Sequence, residues 1–266
     1  MMKKNKFVIF LALTTLIIFA FSCKKEKPLT NESKTGKVVL KFAHYVDGNP
    51  VKSDTMIYTN AAGNLYQVND FRYFISDVQF HKSGGAVVDI KECSWAHYVD
   101  NAIPSTLTWS ICDKLPVGTY DSISFRFGIS NAKNLSHIFV NPPESNMAWP
   151  EMLGGGYHYM QLDGKWKDSI NQIENFNTHL GIGRVISASD TTFTDNSFHV
   201  KLDNSGFTLS ASTVPEIQII MNIDSWYKTP YIYNLNHFGQ TTMMNQAAMH
   251  TIAANGYDVF SVGYIH

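Results

Sequence analysis

Four histidines stand where an imidazole can do chemistry: His44 in VVLKFAHYV, His158 in YHYMQLD, His179 in NTHLGIG and His199 in SFHVKLD. Imidazole nitrogen binds zinc, copper, iron and nickel, and thioether sulfur favours cuprous copper. A chain with 10 histidines and 10 methionines therefore holds the material of a metal centre. The four settings differ. His44 closes an apolar face begun by Val38, Leu40 and Phe42, which would aim it into the mouth of a sandwich. His158 shares a face with Met160 and Leu162, a pattern that suits a hydrogen-bonded core histidine as well as a ligand. His179 lies beside Gly181 and Gly183, which permit close backbone approach. His199 falls opposite Phe198, Val200 and Leu202, on the exposed side of a strand pattern. The remaining six, His81, His97, His137, His237, His250 and His266, read as surface residues.

Other reactive side chains add little. Met243, Met244 and Met249 fall in a helical pattern as core filler, whereas Met147, Trp149 and Met152 occupy a long Pro- and Gly-rich loop over residues 131–156. There is no GxSxG, no HExxH and no Gly-rich phosphate loop, which points away from catalysis. A net charge of −1, from 21 basic and 22 acidic side chains mixed along the chain, excludes the basic footprint of a nucleic-acid binder.

The N-terminus sets the compartment. MMKKNK, then FVIFLALTTLIIFAF, then Ser22 and Cys23 reads as a cleavable export signal over residues 1–22 with a lipid-modified Cys23. The apolar run is shorter than the roughly 20 residues a spanning helix needs. Residues 23–37 are polar and form a flexible tether, and residues 38–266 form a single domain. These features place the protein in the cell envelope, held by lipid, with the outer membrane as the expected site and the periplasm or the cell surface as the side it faces. Cys93 and Cys112 remain as a pair in an oxidising compartment. A disulfide between them would close a loop of about 20 residues and add about 3 kcal/mol. The other reading, a metal site built on both thiolates, lacks CxxC spacing.

The elements that must position these residues are strands. Period-two apolar alternation predicts strands at 38–46, 70–82, 86–90, 120–128, 157–163, 197–203 and 215–223. In 70–82 the apolar positions switch register across Ser76 and Asp77, which predicts a bulge. A helix is expected over 241–254, with a threonine cap and Gly256 after it. The 44% apolar and 13% aromatic content is ample for a core. The expected fold is all-β: an immunoglobulin-like or jelly-roll-type sandwich with long loops and a short C-terminal helix.

The segment Met147-Ala148-Trp149-Pro150-Glu151-Met152-Leu153-Gly154-Gly155-Gly156-Tyr157-His158-Tyr159-Met160-Gln161-Leu162-Asp163-Gly164 resembles the central motif of the MbnP-like, methanobactin-associated copper-binding family. VVLKFAHYVDGNPV, YQVNDFRYFISDVQF, FNTHLGIG and the closing NGYDVFS are similar to that family in the same order. The resemblance implies a non-catalytic β-sandwich that binds copper chiefly through histidine. In some members a tryptophan is oxidised by a partner di-haem peroxidase-like protein. Trp149 matches the motif tryptophan, and Pro150-Glu151 stands where a second tryptophan commonly follows. His44 and His179 lie in matching segments, with His158 and His199 in reserve. The expected role is copper uptake, storage or handover. Two other classes stay open: a module that binds a glycan or another envelope protein on a platform of Trp149, Tyr157 and Tyr159, and a hydrolase with an unrecognised site.

Overall fold

The computed structural model describes residues 34–91 and 94–266. The export signal, Cys23, most of the tether and Cys93 lie outside the described residues. Among the described residues the first strand, Thr35–Gly36, pairs with Leu115–Pro116, ahead of the expected start at Val38.

Among the described residues the strands form a nine-stranded sheet, a five-stranded sheet and two two-stranded ones, and the two larger sheets enclose one core. Strands β1 (Val39–Val46), β2 (Leu65–Lys82), β3 (Ala96–Asp100), β4 (Thr108–Ser110), β5 (Gly118–Phe127), β6 (Met160–Lys167) and β7 (Ile173–Leu180) are followed by the hairpin β8 (Gly183–Ile186) and β9 (Thr191–Thr194). Strands β10 (Phe198–Leu202) and β11 (Glu216–Asn222), helix α1 (Gln246–Asn255) and strand β12 (Phe260–Ile265) complete the set. The larger sheet runs β7-β6-β2-β5-β10, with β3 also on β2, and the smaller runs β12-β11-β1, with β4 on β1. Among the described strands only β1 and β11 pair in parallel.

Strand β2 is the backbone of the larger sheet. Strand β6 pairs with its first part, Tyr66 to Tyr73, and β5 with its second, Ile75 to Lys82. They meet at Phe74, whose N–H donates to Tyr159 O at 3.0 Å and whose carbonyl accepts from Gly128 N at 2.8 Å. The expected bulge is present. Ser124 faces Gln79 while Arg126 faces Ser76, so Asp77 and Val78 oppose one residue, and Asp77 takes a φ of 51°. Aromatic side chains join the sheets: Tyr73 and Phe125 of the larger meet Phe260 of the smaller at centroid distances of 6.2 and 5.3 Å. Edge-to-face contacts of this kind add to the burial of apolar area that drives folding.

The helix begins later than its pattern suggests. Asn245 caps it, accepting from Ala248 N at 3.0 Å. Residues 240–242 form instead a strap along β7. Asn177 N donates to Gln240 O at 2.7 Å, Thr242 N donates to Asn177 O at 3.2 Å, and Thr241 bridges Asn177 in parallel. Among the described residues no helix is long and apolar enough to cross a membrane.

Candidate functional site

The β6–β7 hairpin fixes the frame. Its register sets Gln161 opposite His179 and Asp163 opposite Asn177, which makes Asp163 and His179 diagonal neighbours. The Nε2–H of His179 donates to Asp163 Oδ1 at 2.9 Å. On the backbone, Thr242 Oγ1 accepts from His179 N at 2.8 Å and donates to His179 O.

His158 enters just before β6. Its backbone N–H and its ring Nδ1–H both donate to Met147 O, at 2.7 and 2.9 Å. Between these two residues the loop folds back on itself. Gly154, Gly155 and Gly156 take φ of 119°, 68° and 79° in succession, a run of left-handed conformations that only glycine adopts freely. The turn lets Trp149 N donate to Gly156 O at 2.8 Å and brings the indole edge-on to His158, with centroids 4.6 Å apart. The indole Nε1–H donates to Leu153 O at 3.3 Å. Its six-membered ring rests on Gly181, where a Cβ would lie 2.7 Å from Trp149 Cε3.

The rings of His158 and His179 then stand 5.0 Å apart at 84°. Carbonyl and carboxylate oxygens only accept, so a neutral ring at either position spends its one proton on its oxygen and leaves the other nitrogen with a bare lone pair. Those two nitrogens, His158 Nε2 and His179 Nδ1, are buried and have no hydrogen-bond partner. Burial, reinforced by His179, pushes the His158 pKa down to about 4, so its ring is neutral at physiological pH. Burial pushes the Asp163 carboxyl up, and the His179 bond, the Asn177 bond and Arg72 outweigh it, so the group titrates below the ordinary range. Two buried imidazoles, each with one ring nitrogen that has no hydrogen-bond partner, are a donor set that copper takes, and their oxygen partners are the outer hydrogen bonds that metal-binding histidines carry. The residues present fit a metal held by two nitrogens. Among the described residues no group of three or more His, Cys, Asp or Glu side chains converges to hold a metal ion.

Of the four expected histidines, the structure gathers His158 and His179, with Trp149 beside them. His44 is elsewhere and is not at a mouth. It lies in the core, 8% exposed, with Nε2 3.0 Å from Tyr73 Oη and its ring edge-on to Phe71, and burial pushes its pKa down to about 3. The reason is that β1 runs on to Val46, itself buried, so His44 does not end the inward face. His199 is exposed and sits 2.8 Å from Arg126 Nη2. His97, expected at the surface, stacks on Trp109 at 4.7 Å, and burial lowers its pKa. Trp149, Tyr157 and Tyr159 are 2%, 1% and 0% exposed, so they form no platform for a glycan. Cys112 is disulfide-bonded, which removes its sulfur from any thiolate site.

Asp163, Met147 O and Thr242 are the functional groups that the sequence alone does not single out. Asp163 shows its role only once β7 is known to pair with β6, and a backbone oxygen leaves no trace in residue type.

Comparison with known proteins bears on the fold and the family. No curated protein sequence matches the chain. A solved structure, MbnP from Methylosinus trichosporium, shares the fold with a TM-score of 0.56 at 16% identity, covering 86% of this chain and 99% of that one. The family profile described as MbnP matches residues 35–250. The chain belongs to the MbnP family.

Proposed function

We propose that the protein is a lipid-anchored envelope protein that binds copper, for uptake, storage or handover, without catalytic turnover. His158 Nε2 and His179 Nδ1 hold the metal. One observation carries this reading: two buried ring nitrogens without a hydrogen-bond partner, on rings whose centroids lie 5.0 Å apart. A buried acceptor without a donor costs about 1–3 kcal/mol, and a bound metal ion removes that cost at both rings together. Neutral nitrogen donors in a buried site favour the ion of lower charge, because desolvation rises steeply with charge. Bound copper would supply a one-electron couple. Trp149 is the residue placed for oxidation by a di-haem peroxidase-like partner, since its indole touches His158. Cys23 is the point of lipid attachment, and the outer membrane, facing the periplasm or the cell surface, is the location.

The test is copper content and competition titration of the full chain. Retention of one copper against free histidine, lost in both His158→Ala and His179→Ala, is expected. Failure to hold copper, or affinity unchanged in both variants, overturns the reading.

A further inference from the structure

The two imidazoles are held in different ways. His158 is set by main chain: Met147 O receives its ring and its backbone N–H together, so no side-chain change removes that bond. His179 has its backbone clamped by Thr242, but its ring is held by one side chain, Asp163. A half-turn of that ring about its own bond would put a C–H where Nδ1 stands. The carboxylate prevents this by accepting from Nε2.

Asp163 is itself fixed. Its Oδ1 also accepts from Asn177 Nδ2 at 2.5 Å, and Arg72 Nη2 lies 3.9 Å from Oδ2. Arg72 in turn donates through Nε to Gln161 Oε1 at 2.6 Å, so the guanidinium is oriented as well. Four side chains from β2, β6 and β7 thus form a chain of contacts that reaches the imidazole through Asp163 alone. The chemistry of such a chain is that of a carboxylate–imidazole–metal relay, in which the outer anion orients the ring and raises its donor strength.

We infer that Asp163 is the positioning residue of the site: through its bond to Nε2 it fixes the orientation of the His179 ring and keeps Nδ1 available for the metal. This inference rests on the copper reading above, and it makes a separate claim about the metal-free protein. Outer-sphere carboxylates of this kind are worth about 10–100-fold in metal affinity.

The experiment compares the full-length wild type with Asp163→Ala, Asp163→Asn and His179→Ala. Cu(I) affinity is read by competition with a chromophoric chelator, and the ring N–H resonance of His179 by NMR without metal. Asp163→Ala is expected to bind Cu(I) about 10–100-fold more weakly and to lose the protected His179 Nε2–H signal. Asp163→Asn, whose amide oxygen still accepts, recovers most of both. The Ala variant binding within twofold of wild type, or keeping the Nε2–H signal, overturns the inference. So does an equal loss from Asp163→Ala in a His179→Ala background, because the carboxylate would then not act through His179. If the wild type binds no copper, the copper reading fails, while the N–H signal still tests whether Asp163 holds the ring.

Discussion

The imidazoles of His158 and His179 stand 5.0 Å apart at 84°, and each has one nitrogen bonded to an oxygen and one bonded to nothing. The pair exists because a loop and a hairpin meet. His158 is placed by the return of the Trp149 loop, and His179 by the β6–β7 register. Neither histidine would face the other without both.

Copper binding should therefore divide the histidines sharply. His158→Ala and His179→Ala are expected each to lower copper affinity by at least about 100-fold, as for removal of a ligand rather than of its about 10–100-fold outer partner. His199→Ala, on the exposed side of β10 beside Arg126, is expected to leave it unchanged. Competition titration of the three variants in parallel checks this.

Gly181 is a packing test of the same site. Gly181→Ala sets a methyl against the indole, within 2.7 Å of Trp149 Cε3. Overpacking of this kind costs about 1–3 kcal/mol. The indole is expected to shift off His158, which a change in tryptophan fluorescence and a lower urea midpoint would report together.

Acid should destabilise the fold from near neutrality. His44 and His158 titrate at about 3 and about 4 in the fold, whereas unfolded imidazoles titrate at 6.5. Below 6.5 the unfolded chain takes up protons that the fold refuses. Stability is full above that pH, falls as the pH drops and levels off below about 3. Each ring contributes a slope of up to about 1.4 kcal/mol per pH unit inside its window. Urea unfolding at about pH 7.5, 6 and 5 measures the combined slope, and His44→Gln is expected to remove the His44 share. A stability that is flat from neutrality to pH 5 contradicts this.

Thr242→Val removes a buried hydroxyl that accepts from His179 N and donates to His179 O. The two backbone groups lose their partner, at a cost of about 1–3 kcal/mol. Amide exchange is expected to quicken at His179 before the rest of β7.

Intact mass of the native protein tests the envelope reading. Loss of residues 1–22 with acyl chains on Cys23 is the expected result, and oxidation at Trp149 would appear as a separate increment. A full-length, unacylated chain would contradict the anchor.

Much of this was legible in the sequence, for reasons that differ by element. The bulge at Asp77 was visible because the apolar register shifts there and a strand tolerates one extra residue. Strand β7 was not, because in IENFNTHL the inward side chains are Phe176, Thr178 and Leu180, and the buried threonine breaks the apolar count. Losing β7 hid the diagonal that joins Asp163 to His179. The helix start was misplaced because Thr242 resembles a cap, yet its hydroxyl is already bonded to the His179 backbone. His44 matched the motif and still sits apart, since alternation says which face a residue occupies but not what meets it across the core.

The strap at residues 240–242 has one more effect. Strand β7 is the outermost of the larger sheet, and a bare outer strand offers a ladder of amides and carbonyls to any extended chain nearby. Here those groups are bonded to Gln240 and Thr242 at Asn177 and His179. On a surface where the proposed lipid anchor would gather copies of the chain, the strap occupies the groups of Asn177 and His179 that a neighbouring strand would need. The part of β7 that carries His179 is therefore closed to edge-to-edge pairing.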